Sequence, residues 1–370
     1  MVPSLDTRWT DNVYLSGTDE MSDVVLSPQL KVYLIYVPAK SGHIRLDLGL
    51  GYNFYINHKE LNFLSAGLTP NTVLDYQVVV GNVMTIFYDR LTAPNDNRTR
   101  PEVVKGAGST ALVNSQQLNN TIGMTTIWAI NEELVLLGGY GYQIARNFSD
   151  LFTSQNYSSH LLNTSLEKRF GPVWSAGAYA NYSITDYSEP VQNDATGWSI
   201  GPLLSYRPYK NFSLEGSVGY SVTTFEFGGS PTAIQDASNF SGLIYEVSVE
   251  HQFSPRMRHQ LSIAKTAQLG LGSNFTENQT ITYMIAAPEA IRKVGFSAAI
   301  SWIEYSQSAP VFENIFKDSG TLFRTYLGAD YLISRNVNGR LGLAHNRRSS
   351  KIVLGDYNET AAMVSLSYMF

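Results

Sequence analysis

The chain has 370 residues, of which 15% are charged, 12% are aromatic and none is cysteine, and its formal net charge is -5. Soluble domains carry roughly 25% charged residues, so the low charge is unusual. The missing cysteines exclude disulfides, thiolate metal sites and cysteine nucleophiles. The basic residues form no cluster, which argues against nucleic-acid binding.

No run of about 18 consecutive apolar residues occurs, so a membrane-spanning helix is not predicted. Mean hydropathy is nevertheless close to zero, and the chain contains 23 tyrosines and 29 glycines. Such a composition is expected where lipid-facing and water-facing residues alternate along β-strands. A secreted, soluble β protein rich in tyrosine would have a similar composition, and composition alone does not separate the two.

Residues of alternating polarity predict strands throughout the N-terminal half, because successive strand side chains point to opposite faces. In the third strand, Ile44, Leu46 and Leu48 face one way, whereas Arg45 and Asp47 face the other. The strands predicted in this half are Trp9–Ser16, Leu26–Leu34, Ile44–Phe54, Leu74–Leu91, a short one within Val103–Val113, Ile122–Ile130, Glu133–Ile144, Leu161–Phe170 and Val173–Thr185.

The same alternation continues through the C-terminal half. The predicted strands are Gly197–Arg207, Phe212–Phe225, Leu243–Phe253, His259–Leu269, Asn274–Ile285, Val294–Trp302, Thr321–Ile333, Val337–His345 and Asn358–Phe370. Only Ala287–Arg292 and Pro310–Phe316 could form a turn of helix. The last strand alternates apolar residues and ends on Phe370, which resembles the C-terminal signature of bacterial outer-membrane β-barrels.

These strands predict one all-β domain over residues 1–370, a transmembrane antiparallel up-and-down β-barrel of about 18 strands. The number becomes 16 if the first strand or the one within Val103–Val113 is not part of the wall. The alternation lasts about 10 to 13 residues, as in a tilted membrane-spanning strand. Strands of a soluble sandwich have a mode of about 5–6 residues. Short links alternate with long ones, and the short ones are expected in the periplasm.

By parity, a polar set of residues faces the lumen. It comprises Lys31, Arg45, Asp47, Asp89, Glu167, Arg169, Arg207, Glu215, Glu246, Glu250, Arg324, Asp330 and Arg340, with Tyr179 and Tyr326. Both signs of charge are present, so strong ion selectivity is not predicted. Any one of these residues is explained as well by pairing that stabilises the wall. A barrel of 16 to 18 strands is expected to enclose an aqueous channel.

Motifs for catalysis or metal binding are weak. Gly197 to Gly201 matches the spacing of a hydrolase nucleophile elbow, but it lies inside an alternating strand, whereas the elbow needs a following helix. The six histidines show no metal-ligand spacing. We therefore predict no catalytic, cofactor or metal residue and no enzyme activity. A barrel-embedded hydrolase, whose catalytic site would be assembled from residues of distant strands, is an alternative to the functions considered below.

Three segments carry a resemblance to a known group. They are Asp11–Leu15 followed by Ser22 and Asp23, then Leu26–Leu30, and finally Arg258–Ala264. In these the chain resembles the β-barrel porin 2 group of bacterial outer-membrane proteins. The resemblance implies a barrel that passes polysaccharide outward, with periplasmic export proteins as partners.

The resulting prediction is a channel in the bacterial outer membrane that passes polar solutes, with lipid and no nucleic acid as partners. No charged and apolar leader opens the chain at Met1, so a signal peptide is expected to have been removed before this numbering. The alternative is a non-conducting structural barrel that binds surface partners through its long loops. A plug formed by Ala93–Asn114 would favour that alternative.

Overall fold

The computed structural model describes residues 1–39, 42–66, 72–92, 117–147, 150–226, 236–270, 273–308, 318–351 and 355–370. Two short 3-10 helices lie at Lys59–Leu61 and Asp150–Gln155. No helix in these ranges is long and apolar enough to cross a membrane. The strands are β1 (Val2–Thr10), β2 (Asp23–Ala39), β3 (Gly42–Tyr55), β4 (Phe63–Ala66), β5 (Thr72–Val80), β6 (Val83–Thr92), β7 (Gln117–Ala129), β8 (Leu134–Asn147), β9 (Tyr157–Phe170), β10 (Trp174–Tyr187), β11 (Asp194–Tyr209), β12 (Phe212–Glu226), β13 (Phe240–Ser254), β14 (Met257–Leu269), β15 (Phe275–Ile291), β16 (Val294–Gln307), β17 (Ser319–Leu332), β18 (Val337–Ser350) and β19 (Tyr357–Tyr368).

The strands form one sheet that closes on itself. Neighbours in the chain pair antiparallel, and β1 pairs with both β2 and β19, so that Thr7 lies opposite Leu26 on one side and Val364 on the other. The short strand β4 and the strand β5 both pair with β3 and therefore share one position in the wall. The wall has eighteen positions, which confirms the predicted antiparallel up-and-down barrel.

The number eighteen is reached by a different route from the one predicted. The stretch Leu74–Leu91 is not one strand but the hairpin β5–β6, in which Val80 pairs with Val83. The turn between them is possible because Gly81 adopts a φ of +60°, which glycine reaches without steric cost. The hairpin brings the number of wall positions to eighteen, and the predicted short strand within Val103–Val113 lies outside the described residues.

Two other boundaries were wrong. The first strand is Val2–Thr10 and not Trp9–Ser16, because the Asn12 side chain bonds the backbone of Ser16 and closes a turn. The predicted helical turn at Ala287–Arg292 falls mostly within β15, which extends to Ile291. The segments Pro310–Phe316 and Ala93–Asn114 lie outside the described residues.

The outer surface of the wall carries a band of exposed apolar side chains. Leu243, Leu327 and Leu341 are 59–60% exposed although each lies within a paired strand of the wall. Their cross-strand partners point to the same side, since directly opposed residues share a face. A continuous apolar band on the outside of a closed barrel is the arrangement expected against lipid.

Connections of two kinds alternate along the chain. Strand ends separated by two to four residues lie at one rim, whereas ends separated by five or more residues lie at the other, apart from the break between β4 and β5, which share one wall position. Both termini are at the short-turn rim, where the Phe370 amide donates to the Met1 carbonyl at 3.3 Å. The alternation agrees with the predicted pattern of short and long links.

Candidate functional site

The strand register places the residues predicted to face the lumen on the side opposite the exposed apolar band. On β17, Leu327 and Tyr331 are exposed outward, so Arg324, Tyr326 and Asp330 point inward. The same reasoning places these others on the inner face: Lys31, Arg45, Asp47, Glu167, Arg169, Tyr179, Arg207, Glu215, Glu246, Glu250 and Arg340. Their part in conduction stays a prediction.

Asp89 is an exception and lies on the outer face. It is paired with Leu74 and Ile122, which are exposed outward, and it accepts a hydrogen bond of 2.6 Å from the Asn120 side chain. The cause is the hairpin at Gly81. Even-numbered residues such as Leu74 face outward on β5, but after the two-residue turn the odd-numbered residues face outward on β6. The parity of one uninterrupted strand therefore assigned Asp89 to the wrong side.

The structure brings three pairs of the predicted residues together. Arg340 Nε donates to Asp330 Oδ1 at 2.6 Å, Arg45 pairs with Asp47, and Arg207 pairs with Glu215. Other members are not brought into pairs. Glu167, Glu246 and Glu250 form no ion pair within the described part of the chain.

A buried charge network on β16–β18 was missed by the sequence reasoning. Arg348 Nη2 lies 2.5 Å from Asp318 Oδ2, and both side chains are at least 97% buried. The Arg348 Nε also donates to the Tyr305 hydroxyl at 3.0 Å, and Ser350 Oγ donates to Asp318 at 2.6 Å. Extending the alternation of the strand past its predicted end at His345 would have placed Arg348 on the inner face.

A second network links β1, β18 and β19 on the same inner surface. Arg8 pairs with the fully buried carboxylate of Glu359, which also accepts hydrogen bonds from Thr10 at 2.8 Å and Asn346 at 2.8 Å. Arg324 donates to the Asn346 amide oxygen at 3.3 Å. Polar side chains on this part of the inner wall are therefore largely satisfied by one another.

The connection between β1 and β2, residues 11–22, lies against the inner wall and is here called the β1–β2 loop. Val13 is completely buried against Val25, Tyr55 and Leu61. Further along, Leu15 packs on the inward side chains of β17 and β19. Apolar residues on an otherwise wet inner face need such a cover, since burying apolar surface is the main favourable term in packing.

Hydrogen bonds fix the same loop to the last strand. Asn12 Nδ2 donates to the Ser16 carbonyl at 2.7 Å and to the Asn358 carbonyl at 2.8 Å. The Thr360 amide donates to the Asp11 carboxylate at 2.7 Å. The loop is thus held to the wall on both sides of β1 and occupies part of the long-loop mouth.

Tyr14 gives the β1–β2 loop a further contact with the connection after β3. Its hydroxyl donates to the Glu60 carboxylate. Burial and that hydrogen bond raise the pKa of Tyr14 to about 12, while the same bond lowers the pKa of Glu60. The Tyr14 hydroxyl therefore remains a donor at any ordinary pH, and the contact depends on the charge of Glu60.

Two adjoining cavities of about 420 Å³ and 340 Å³ lie on the opposite side of the inner wall, between β8 and β14. They share Leu203, Ser217 and Glu246, and together are here called the wall groove. The larger cavity contains Tyr179, and the smaller one contains the Arg207–Glu215 pair nearer the short-turn rim. The groove is an open concavity in the lumen that is lined by both polar and apolar groups.

The scattered histidines include one pair that only the fold brings together. His251 and His259 lie opposite each other on β13 and β14, with 3.4 Å between His259 Nε2 and His251 Nδ1. They belong to the outer face, where Phe253 stacks on His259 at a centroid distance of 4.2 Å. Among the described residues no group of three or more potential ligands could hold a metal ion.

No family model matches the chain, and no curated protein matches its sequence. The chain is similar in structure to the outer membrane protein OpdK from Pseudomonas aeruginosa, with a TM-score of 0.53, 13% identity, and coverage of 99% of this chain and 97% of that one. It is also similar to OccK2 (OpdF) of the same organism in complex with glucuronate, with a TM-score of 0.52, 10% identity, and coverage of 99% and 97%.

At such identities the likeness shows a shared fold and assigns no role to any residue. The fold is that of outer-membrane barrels, as the sequence predicted. The more specific resemblance to the β-barrel porin 2 group gains no support, since no family model matches.

Proposed function

We propose that the chain is a channel of the bacterial outer membrane that passes polar solutes through its lumen. The observation that carries this proposal is the sidedness of the closed wall: leucines such as Leu341 are exposed outward, while charged residues such as Arg340 point inward. An apolar exterior fits lipid, and a charged interior fits water. Eighteen wall positions are within the range in which barrels enclose an aqueous channel.

The direct test is conductance of the purified barrel in planar lipid bilayers. We expect discrete, ohmic current steps that do not require a ligand. A vesicle assay with sugars of increasing size would then give the exclusion limit of the lumen. A barrel that inserts stably but carries no current in either assay would contradict the proposal.

A second candidate function is a structural barrel that does not conduct. The β1–β2 loop favours it, because Val13 and Leu15 hold this connection against the inner wall at the mouth. Removing residues 12–21 distinguishes the two candidates. A channel narrowed by the loop conducts before the deletion and conducts more after it, whereas a sealed structural barrel carries current only once the loop is gone.

We also propose that the channel passes polysaccharide and contacts periplasmic export proteins. This proposal rests only on the resemblance of three sequence segments to the β-barrel porin 2 group. The measurement is entry of dextran fractions into vesicles that contain the barrel. Exclusion of every linear polymer while small sugars enter would rule out a route for sugar chains and leave the small-solute channel intact.

A further inference from the structure

We propose that the wall groove is a binding subsite for short sugars that are uncharged or carry amino groups, and that it disfavours uronates. The inference rests on the proposed channel function, because the groove is reached through the lumen. It is centred on the inward side chain of Tyr179 and extends toward the short-turn rim past Glu246.

Tyr179 supplies an aromatic surface along the wall. Its side chain extends from β10 across β11 toward β12, where any side chain at Gly219 would overlap the tyrosine hydroxyl. Glycine at that position therefore lets the ring lie along the wall, where it contributes to the lining of the larger cavity. Aromatic faces combined with a few placed polar groups are typical of small-molecule sites.

The polar groups around that ring are suited to hydroxyls, which both donate and accept hydrogen bonds. Asn163, Asn181 and Ser217 contribute to the lining of the same cavity. Asn181 Nδ2 donates to Ser199 Oγ at 3.1 Å, which leaves its amide oxygen free to accept. Across the residues that the structure describes, the Tyr179 hydroxyl and the Glu246 carboxylate make no hydrogen bond, so both are available to a solute.

The charge of the groove decides among sugars. Its carboxylates are Glu246, Glu167 and Glu215, and among the described residues Arg207 forms an ion pair with Glu215 and interacts at longer range with Glu167. Lys265 also borders the larger cavity, but its pairing with Tyr245, which lies opposite outward Val218, places its side chain on the outer face, where it contacts Glu277 at 3.0 Å. The unpaired charge is therefore negative, which attracts amino sugars and repels uronates. The expectation is opposite to the glucuronate bound by the structural neighbour OccK2.

The two cavities together are extended rather than compact. They adjoin at Leu203, Ser217 and Glu246, and their volumes of about 420 Å³ and 340 Å³ exceed what one sugar ring needs. The smaller cavity reaches the Arg207–Glu215 pair near the short turn between β11 and β12. A trisaccharide is therefore a better probe of the groove than a monosaccharide.

The experiment compares three trisaccharides of matched length in planar bilayers: maltotriose, the glucosamine trimer and trigalacturonate. Residence times are measured from transient blockade of single-channel current. We expect the glucosamine trimer to reside longest, maltotriose next and trigalacturonate least. Tyr179→Ala should shorten maltotriose residence about three- to tenfold, the size of an aromatic contact.

Two further variants make the result specific. Glu246→Gln should reduce the difference in residence time between the glucosamine trimer and trigalacturonate, since Glu167 keeps its negative charge, while leaving maltotriose residence nearly unchanged. Tyr326→Ala is the matched control, because Tyr326 is an inward tyrosine that also lies over a glycine, Gly342, but lies outside the groove. If Tyr179→Ala does not insert, Tyr179→Leu keeps the bulk and removes the aromatic face.

The outcomes separate the subsite from the channel. Current without any blockade, or blockade that Tyr179→Ala and Tyr326→Ala shorten equally, overturns the subsite and leaves the channel standing. Longer residence of trigalacturonate than of the glucosamine trimer overturns the charge preference. Absence of current in the unmodified barrel overturns the channel and the subsite together.

Discussion

Two parts of the inner wall differ in how their polar groups are used. The clamped arc comprises the inner faces of β16–β19 and β1–β3, which are adjacent through the closure of the barrel. There Arg348, Glu359 and Arg340 are paired, and the β1–β2 loop covers inward apolar residues. The open arc, β8–β14, instead carries the wall groove, with carboxylates such as Glu246 that have no ion-pair partner among the described residues.

The contrast shows that one alternating pattern can serve two purposes. Inward polar side chains in the clamped arc form hydrogen bonds with one another and with the β1–β2 loop, so they stabilise the mouth. Those in the open arc leave donors and acceptors facing the lumen, so they are available to solutes. Four experiments test whether this division is real, from the largest expected effect to the smallest.

The largest effect is the difference in stability lost when one ion pair is broken in the clamped arc and one in the open arc. Asp318→Ala would leave Arg348 buried without a counter-charge, which costs about 3–5 kcal/mol in stability. Glu215→Ala breaks a pair whose side chains are 63% and 51% exposed, and such pairs contribute roughly 0–1 kcal/mol. Urea unfolding of the barrel in lipid vesicles measures both. Equal losses would contradict the division into arcs.

A charge placed on the outer face should destabilise the barrel by about the same amount in both arcs. Val218→Arg in the open arc and Leu343→Arg in the clamped arc each place a charge in lipid, at a cost of about 2–4 kcal/mol near the midplane. Both side chains are exposed outward. Ser217→Arg, which points into the lumen beside Val218, is the control and should cost much less. If all three variants unfold at the same urea concentration, the apolar band does not face lipid.

Releasing the β1–β2 loop should change conductance more than stability. Leu15→Ala removes packing that in a protein core is worth about 2–5 kcal/mol, but here the loss frees a loop rather than a strand. We expect larger single-channel current with an almost unchanged unfolding transition. Leu5→Ala, a change of the same kind on the outward face of β1, should leave the current as it was.

The smallest expected effect is a change in current fluctuations when acid pH weakens the Tyr14–Glu60 contact. The pKa of Glu60 is lowered in the folded chain, so its contribution is present above the ordinary value of about 4.3 and is lost as pH falls through the lowered value. Current fluctuations should therefore increase as the pH falls through that lowered pKa, because protonation of Glu60 weakens the contact. Glu60→Gln should fluctuate equally at neutral and acid pH.

Alternation in the sequence was sufficient for the class of fold and for most strands. In β3, the run from Ile44 to Phe54 predicted both the strand and its two faces. The assignment is strict because a shift of the strand by one residue would move every apolar side chain to the polar face. It failed where a turn carries no strong break in pattern. Leu74–Leu91 remains apolar and alternating across Gly81 and Asn82, so the hairpin and the face of Asp89 were missed.

The sequence by itself determined that this chain forms a barrel with an apolar outside and a polar inside, because sidedness follows from a period of two along each strand. Only the tertiary structure decided which inward groups meet. Arg348 and Asp318 lie 30 residues apart in sequence and come together across two strands, and the β1–β2 loop reaches β17 and β19 only because β1 closes the ring. Such contacts depend on the order and register of strands around the circle, which no local pattern encodes.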